Sequence, residues 1–530
     1  MPRLTLIAPD GTHRLTIAAG DSLREALDAT ELRVRAACGG NGSCGACLVR
    51  WIEGEVSRPT AAEYLKLGPE ERAAGWRLAC QLRLTGDATL ALDHPAPPSQ
   101  WRSIAELPPP IGRLPELEQH IYGLAVDLGT THIRLSLLDR KSGRRIASRR
   151  GPNPQQVHGA DVLNRLDAAL GSERKAAELA KLARTAIVQA LRDVLARDCG
   201  EVTPMMAEIG AALVVGNTAM LALLAQQGVA ELLAPEHWQS AIDCRPRATD
   251  WQAQWYLPHA RIDLAPPLAG FVGSDLLADL LACDLCQPDR PALLVDLGTN
   301  SELALWDGAR LRVGSVPGGP AFEGAGLRRG MPAEPGALCA VTAEGDGFRC
   351  QRIGDTDAVR GICGSGLIDA TAVLLAQGRL KPSGRFATPP GATGLALIPG
   401  EERSSLFAGD IDALQRAKAA TAAAMRLLLR TAGLAWADLS RLVVCGAFGH
   451  HLNLQHARAI GLLPPLADER IELIAEAALL GCERALLAPG GKEWLGAAAQ
   501  QAVSLNLAQS ADYENLYIEE LRLRPMALHP

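Results

Sequence analysis

Residues Ile121–Asp139, IYGLAVDLGTTHIRLSLLD, and residues Ala292–Gly308, ALLVDLGTNSELALWDG, are one pattern written twice, about 170 residues apart. Each is an apolar strand ending in Asp, then Leu-Gly-Thr, then a polar residue, then a second, alternating strand: a β-hairpin. Glycine at the tip lets backbone approach a phosphate closely, and Thr or Asn supplies N–H, hydroxyl or amide donors. The phosphate-facing residues are then Gly129, Thr130 and Thr131 in the first copy and Gly298, Thr299 and Asn300 in the second. Asp127 and Asp296, at the ends of the buried strands, suit a hydrated Mg²⁺ that bridges the phosphates. One such turn is an ordinary tight turn. Two copies at lobe-sized separation imply two similar lobes with a nucleotide in the cleft between them. A third element agrees: RLVVCGAFGHHLNL is a buried strand running into Gly446, Ala447, Phe448 and Gly449, a small-residue turn against which an adenosine packs flat. No G-x4-G-K-[ST] occurs, so the chain is not a P-loop ATPase.

Upstream, the stretch AACGGNGSCGACL (36–48) has a composition that neither helix nor strand favours. Cys38, Cys44 and Cys47 give C-x5-C-x2-C, and Cys80 follows in GWRLACQLRL. Four thiolates satisfy a [2Fe–2S] cluster, and a loop wrapping a cluster needs glycines to turn its backbone N–H groups toward sulfur. The alternatives are a zinc site or inert thiols. Zinc loops pair C-x2-C with a second such pair or with histidines, and neither occurs here. Around the loop, LTLIAPDGTHRLTIAAG reads as two strands joined at Asp10-Gly11, SLREALDATEL as a short helix capped by Asp21 or Ser22, and ACLVRWIEG as a returning strand. This order resembles the β-grasp ferredoxins.

At 530 residues there is room for three or four domains. Charged residues are 21% and the net charge is −6, so no basic field points to nucleic acid. No apolar run is long enough to span a membrane, and no secretory signal opens the chain. The thirteen cysteines, mostly scattered, read as reduced thiols in a cytoplasmic protein. Residues 95–120, PAPPSQWRSIAELPPPIGRLPELEQH, hold seven prolines and read as an extended, semi-rigid linker, not packed on the body, that lets the head move. The expected organisation is α/β and multidomain: a β-grasp [2Fe–2S] head (1–94), the proline-rich linker (95–120), and a two-lobed ribonuclease-H-like ATPase body divided into lobes 121–291 and 292–530.

The two hairpins and the Gly446–Gly449 turn together resemble the phosphate 1, phosphate 2 and adenosine motifs of the acetate and sugar kinase/Hsp70/actin superfamily. Further stretches, VVGNTAMLALLA, GFVGSDLLADLLA, VPGGPAFEGAGLRRGMPAEPGAL and GICGSGLIDA, extend the likeness over essentially the whole chain. With them the sequence resembles the reductive activators of corrinoid proteins. The resemblance implies an ATP-dependent one-electron donor that returns a Co(II) corrinoid protein to Co(I). It implies a [2Fe–2S] cluster, ATP and Mg²⁺ as cofactors, an upstream low-potential electron donor, a homodimer, and neither a nucleic-acid nor a membrane partner. Two rival functions stand beside it: a ferredoxin-fused small-molecule kinase with the cluster as redox sensor, and an ATP-switched scaffold stapled by its cluster.

Several residues carry two readings each. Glu302 orients water or a cation near the γ-phosphate, or is an exposed strand carboxylate. Glu323 lines the nucleotide cleft or caps its loop. Asp369 joins the metal shell or caps a helix. Cys283 and Cys286, one helical turn apart, read as structural thiols, as do Cys363 and Cys445. His450 and His451 read as surface histidines, with ribose or base contact the alternative for His451.

Overall fold

The computed structural model describes residues 1–530 other than 19, 29, 31, 35–39, 41, 43–44, 97–98, 105–106, 160–161, 200–201, 247–249, 299, 325, 355–358, 447, 449–450 and 530. Three sheets organise the chain. In the head, β1 (Arg3–Ala8), β2 (Gly11–Thr16), β3 (Leu48–Val56), β4 (Trp76–Leu78) and β5 (Leu84–Ala91) form one sheet in the order β2-β1-β5-β3-β4. The β1–β2 hairpin forms as its sequence expects, one residue earlier than Asp10-Gly11: the turn is Pro9-Asp10 and Gly11 already pairs with Ala8, while β5 runs parallel to β1 and antiparallel to β3. The helix Leu23–Asp28 opens on Ser22, whose hydroxyl accepts from Glu25 N while the Glu25 carboxylate accepts from Ser22 N. That reciprocal pair satisfies two of the N–H groups a helix start leaves orphaned. Leu23 and Leu27 fill the head's own core with Leu4, Leu6 and Val49.

The body contains the same sheet twice. In the first lobe β6 (Tyr122–Leu128), β7 (His132–Asp139) and β8 (Arg144–Pro152) form an antiparallel meander, and β9 (Ile209–Gly216) and β10 (Arg261–Leu264) continue it in parallel on the other side of β6. In the second lobe β11 (Ala292–Leu297), β12 (Ser301–Trp306) and β13 (Leu311–Val316) repeat the meander. The strands Arg441–Gly446 and Ile471–Leu473 then add in parallel beyond β11. The first strand of each meander is thus the central one, buried on both faces, which is why YGLAVDL and ALLVDL are nearly continuous apolar runs.

Each lobe has a core on its outer side, one built on the helix Glu173–Val194 and the other on the helix Ala408–Ala432. A third core lies between the lobes, where the helices Ser274–Ala282 and Ala477–Leu487 pack against each other and against both sheets. Their crossing is close: a Cβ on Gly481 would lie 1.8 Å from the Ala278 carbonyl oxygen. Cys482 beside it points its sulfur at Leu213 O, 3.3 Å away under the first sheet. This seam ties the two hairpin tips to a common cleft.

The proline-rich segment is extended, as its composition expects, but it is packed. Trp101 is buried in the first lobe's core, and Arg102 exchanges two backbone hydrogen bonds of 2.8 Å with Arg150 on β8. Leu107 packs against the interlobe core, and Arg145 donates to Pro108 O at 2.9 Å. Proline fixes φ without preventing burial, so the apolar residues between the prolines decide where the segment lies.

The head is docked on the first lobe by buried ion pairs. Arg24 pairs with Asp198 and, at 3.2 Å, with Asp28; Arg33 donates to both oxygens of Asp193; Arg197 bonds Asp28 and Val34 O. Arg149 on β8 completes the set, donating to Asp193 and Asp198. Such a network fixes one orientation, since any partner left unpaired would be a buried charge.

Candidate nucleotide cleft and cluster loop

Both hairpins close their tips in the same way. Gly129 N donates to His132 O at 3.0 Å, and Gly298 N donates to Asn300 O at 3.1 Å, the second turn being one residue shorter. The first turn is held from beneath: Asn217 donates to Thr130 Oγ1 at 2.8 Å, Arg165 to Thr130 O at 2.8 Å, and Asn153 to Gly129 O at 2.9 Å. Both tips face one cavity of about 610 Å³ between the lobes. Asp127, Gly129, Thr130 and Thr131 line it from the first lobe. Asp296, Gly298, Asn300 and Glu302 line it from the second, with Glu323 and Gly446. Gly446 has to be glycine. Its φ is +90°, and a Cβ there would lie 2.2 Å from Asp296 Oδ1.

Thr299, Ala447, Gly449 and His450 lie outside the described residues. Phe448 turns its ring into the second lobe's core, edge-on to Phe322 with centroids 5.4 Å apart. His451 is exposed. Asp369 is not in the cleft: buried in the helix Gly364–Ala376, it accepts from Val341 N and pairs with His456 Nδ1 at 2.7 Å. Cys283 is buried and Cys286 half-buried, and burial pushes their thiols up to about 12 and about 11.

The electrostatics of the cleft come largely from residues to which the motif reading gave no role. Across the first hairpin, Arg134 sits opposite Asp127, and its guanidinium bonds both Asp127 (3.1 Å) and Glu476. Glu476 holds a left-handed φ of 55° at the mouth of the helix Ala477–Leu487, a conformation non-glycine residues adopt at a cost of order 1 kcal/mol. Across the second hairpin, Glu302 sits opposite Asp296, and acids crowd in from the helix Ser274–Ala282. Burial, then the Asp127 and Asp296 charges, pushes Asp275 up to about 8. Burial, with the Asp127 charge next, pushes Asp296 up to about 6, although the hydrogen bond with Asp279 opposes the rise. Asp127 also rises to about 6 through burial, against the pull of Arg134. Glu302 is raised well above the ordinary glutamate range by burial and by Asp275 and Asp296. Asp275 and Asp279 had a sequence signal, two acids one turn apart on an otherwise apolar helix. Arg134 and Glu476 had none beyond strand alternation.

In the head, the β3–β4 register pairs Leu48 with Leu78, which brings Cys47, just before β3, alongside Cys80, just after β4. Ala79 N donates to Cys47 O at 2.8 Å. Cys80 is drawn down to about 6, chiefly by its hydrogen bond with Cys47 and further by Gln81 and Arg24. Gly40 and Gly42 have φ of +84° and +82°, and a Cβ on Gly42 would lie 2.7 Å from Ala62 Cβ. Positive-φ glycines at 40 and 42, beside a pair in which Cys80 favours its thiolate, fit a thiolate-ligated cluster. Cys38 and Cys44 lie outside the described residues.

A β-grasp head followed by a duplicated lobe with phosphate-type hairpins defines an iron–sulfur protein with a body of the kinase, Hsp70 and actin superfamily. Comparison with known proteins narrows this. The chain matches family models for the C-terminal, ASKHA domain of RACo over 290–530, the RACo middle region over 122–288, and the 2Fe-2S iron-sulfur cluster binding domain over 7–85. The chain belongs to the family of reductive activators of corrinoid proteins. Among its relatives is the corrinoid activation enzyme RamQ of Eubacterium limosum, 32% identical over 397 residues, 70% of this chain and 65% of RamQ. Just under two thirds of that relative is thus spanned. The [Co(II) methylated amine-specific corrinoid protein] reductase of Methanosarcina barkeri is 27% identical over 76% of this chain and 77% of its own length. The solved structure of a reductive activator for corrinoid, iron-sulfur protein matches 100% of this chain and 99% of its own, with a TM-score of 0.65 and 25% identity.

Proposed function

We propose that this chain is an ATP-dependent reductive activator that passes one electron from a [2Fe–2S] cluster to a Co(II) corrinoid protein, restoring Co(I). Cys38, Cys44, Cys47 and Cys80 hold the cluster, whose chemistry is one-electron storage at low potential. The observation that carries the reading is the union, on one chain, of the Cys47–Cys80 pair with two phosphate-type hairpins facing one cavity.

Plant-type [2Fe–2S] clusters lie near −400 mV, and the Co(II)/Co(I) couple lies at very low potential, so unassisted transfer runs uphill. Each 59 mV of one-electron gap corresponds to about 1.4 kcal/mol. Nucleotide lowers that barrier only by favouring one of two states of the assembly. In the cleft, Asp127 and Asp296 would hold a hydrated Mg²⁺, and Gly129, Thr130 and Thr131 with Gly298, Thr299 and Asn300 would hold the phosphates, the metal supplying charge neutralisation. Backbone from Gly446 through Ala447 and Phe448 to Gly449 lies against the adenosine. Glu302, opposite Asp296 on the cavity wall, is placed to take the proton of the attacking water once the bound nucleotide's cation has ionised it. The partner is a corrinoid protein, the class that the names of the relatives share. A separate low-potential donor reloads the cluster, and the working form is a cytoplasmic homodimer. Among the described residues no helix is long and apolar enough to cross a membrane.

Two assays test the reading. Protein prepared without oxygen should carry about two irons per chain with a visible charge-transfer band that Cys44→Ser alters, and should convert ATP to ADP and free phosphate. Stoichiometric zinc in place of iron would remove the electron donor from the scheme. A phosphorylated small molecule as product would assign the cleft to the rival kinase function.

A further inference from the structure

The clamp between head and body passes close to the cluster loop through one side chain. Arg24 lies on the helix Leu23–Asp28, is 5% exposed, and its backbone N donates to Ala79 O, next to Cys80. A Cβ on Gly40 would lie 2.7 Å from Arg24 Nη1 and 3.9 Å from Cys80 Cβ, so the guanidinium and the Cys80 side chain flank one point of the loop. The other side of the same guanidinium bonds Asp198, which follows the long helix Glu173–Val194 of the first lobe. Its remaining partner, Asp28, belongs to the head. The positive charge beside the cluster is therefore offset in part by a carboxylate that the body supplies only while the head is docked.

A cation near a redox centre stabilises the state with one more electron and raises its potential; a neighbouring anion does the reverse, and the effect is strongest at short range in a partly buried site. We propose that Arg24 tunes the cluster and that Asp198 sets how much of its charge the cluster feels. Docked on the first lobe, the head holds its electron less tightly and is the stronger reductant. Lifted away, it meets an Arg24 offset by Asp28 alone and holds the electron more tightly. The body thus adjusts the driving force of the head chiefly through the Arg24–Asp198 pair, with Arg149 sharing Asp198 and Arg197 sharing Asp28. The inference rests on the cluster reading above.

The test is a spectroelectrochemical titration of the full chain, with cluster content fixed beforehand by iron analysis and the visible spectrum. Arg24→Gln is expected to lower the midpoint potential so that the reduced-to-oxidised ratio at a fixed solution potential falls about tenfold, ~59 mV for one electron. Asp198→Asn is expected to raise it by a smaller factor. Each variant leaves the rest of the clamp paired, because Arg33 and Arg149 still hold Asp193 and Arg197 still holds Asp28. The opposite signs matter: mere loosening of the head would move both variants the same way. Arg24→Lys, which keeps the charge, is expected to stay near wild type. Should one charge-removing variant not retain its iron, the direction of the other decides. Shifts of the same sign, or no shift in either, would overturn the inference, whereas wild-type protein without two irons would instead defeat the cluster reading.

Discussion

The two hairpins share strand order, tip closure and the Asp-Leu-Gly-Thr sequence, yet they differ in the residue opposite the aspartate. The first places Arg134 there and the second Glu302. The first lobe therefore presents a carboxylate already matched by a guanidinium that is shared with Glu476. The second presents Asp296 beside Glu302, faced by Asp275 and Asp279 from the interlobe helix Ser274–Ala282, all with raised pKa values, so the nucleotide-free cleft holds protons around Asp296. One fold, duplicated, has become a phosphate-facing half carrying a cation and a cation-seeking half carrying acids. The asymmetry suits Mg-ATP, which brings both charges.

Substitutions across this pair should therefore be unequal. The largest loss is expected for Asp296→Ala, with Mg-ATP affinity falling by about two orders of magnitude in isothermal titration, roughly 2.7 kcal/mol. Asp127→Ala should cost about tenfold, since Arg134 remains to meet the phosphates. Equal losses would erase the functional difference between the hairpins. Next comes Glu302→Gln, expected to slow phosphate release about a hundredfold in steady state while leaving ATP affinity near wild type. A matching rise in the Kd for ATP would make Glu302 a binding group instead.

Proton release is the third expectation. Asp296 and Asp127 titrate near 6 and Asp275 near 8, all above the ordinary aspartate value, so the folded, empty protein binds more protons than the unfolded chain across that window. Their contribution to stability is complete below about pH 4 and is lost as pH rises through about 6 and then about 8. Mg-ATP requires the ionised carboxylates, so its affinity should strengthen from pH 6 to 8, and titration in buffers of different ionisation enthalpy should show protons leaving. The smallest effect separates the hairpins once more. Asp296→Asn should raise the melting temperature of the nucleotide-free protein by about 2 °C, because it relieves crowded acids, while Asp127→Asn should raise it by less, because Arg134 loses a partner that offsets part of the same burial.

Motifs whose residues adjoin in sequence were legible there: the two hairpins, Gly446 beside Asp296, and the iron–sulfur domain signalled by the cysteine stretch. Their chemistry depends on backbone turns that local sequence encodes. Arg134, Glu476 and the Arg24–Asp198 pair were not legible, because each acts through a partner brought close only by tertiary folding. The proline-rich segment shows the same limit. Its composition foretold an extended chain, but the burial of Trp101 in another element's core did not follow from composition.

The central claim is that nucleotide in the cleft drives the electron from head to cobalt. Reduced protein is mixed anaerobically with a corrinoid protein in its Co(II) form, with and without Mg-ATP, and the Co(I) absorption band is followed. The account predicts Co(I) only with Mg-ATP, and its loss with Asp296→Ala even though the cluster is intact. Co(I) forming equally fast without nucleotide would contradict it.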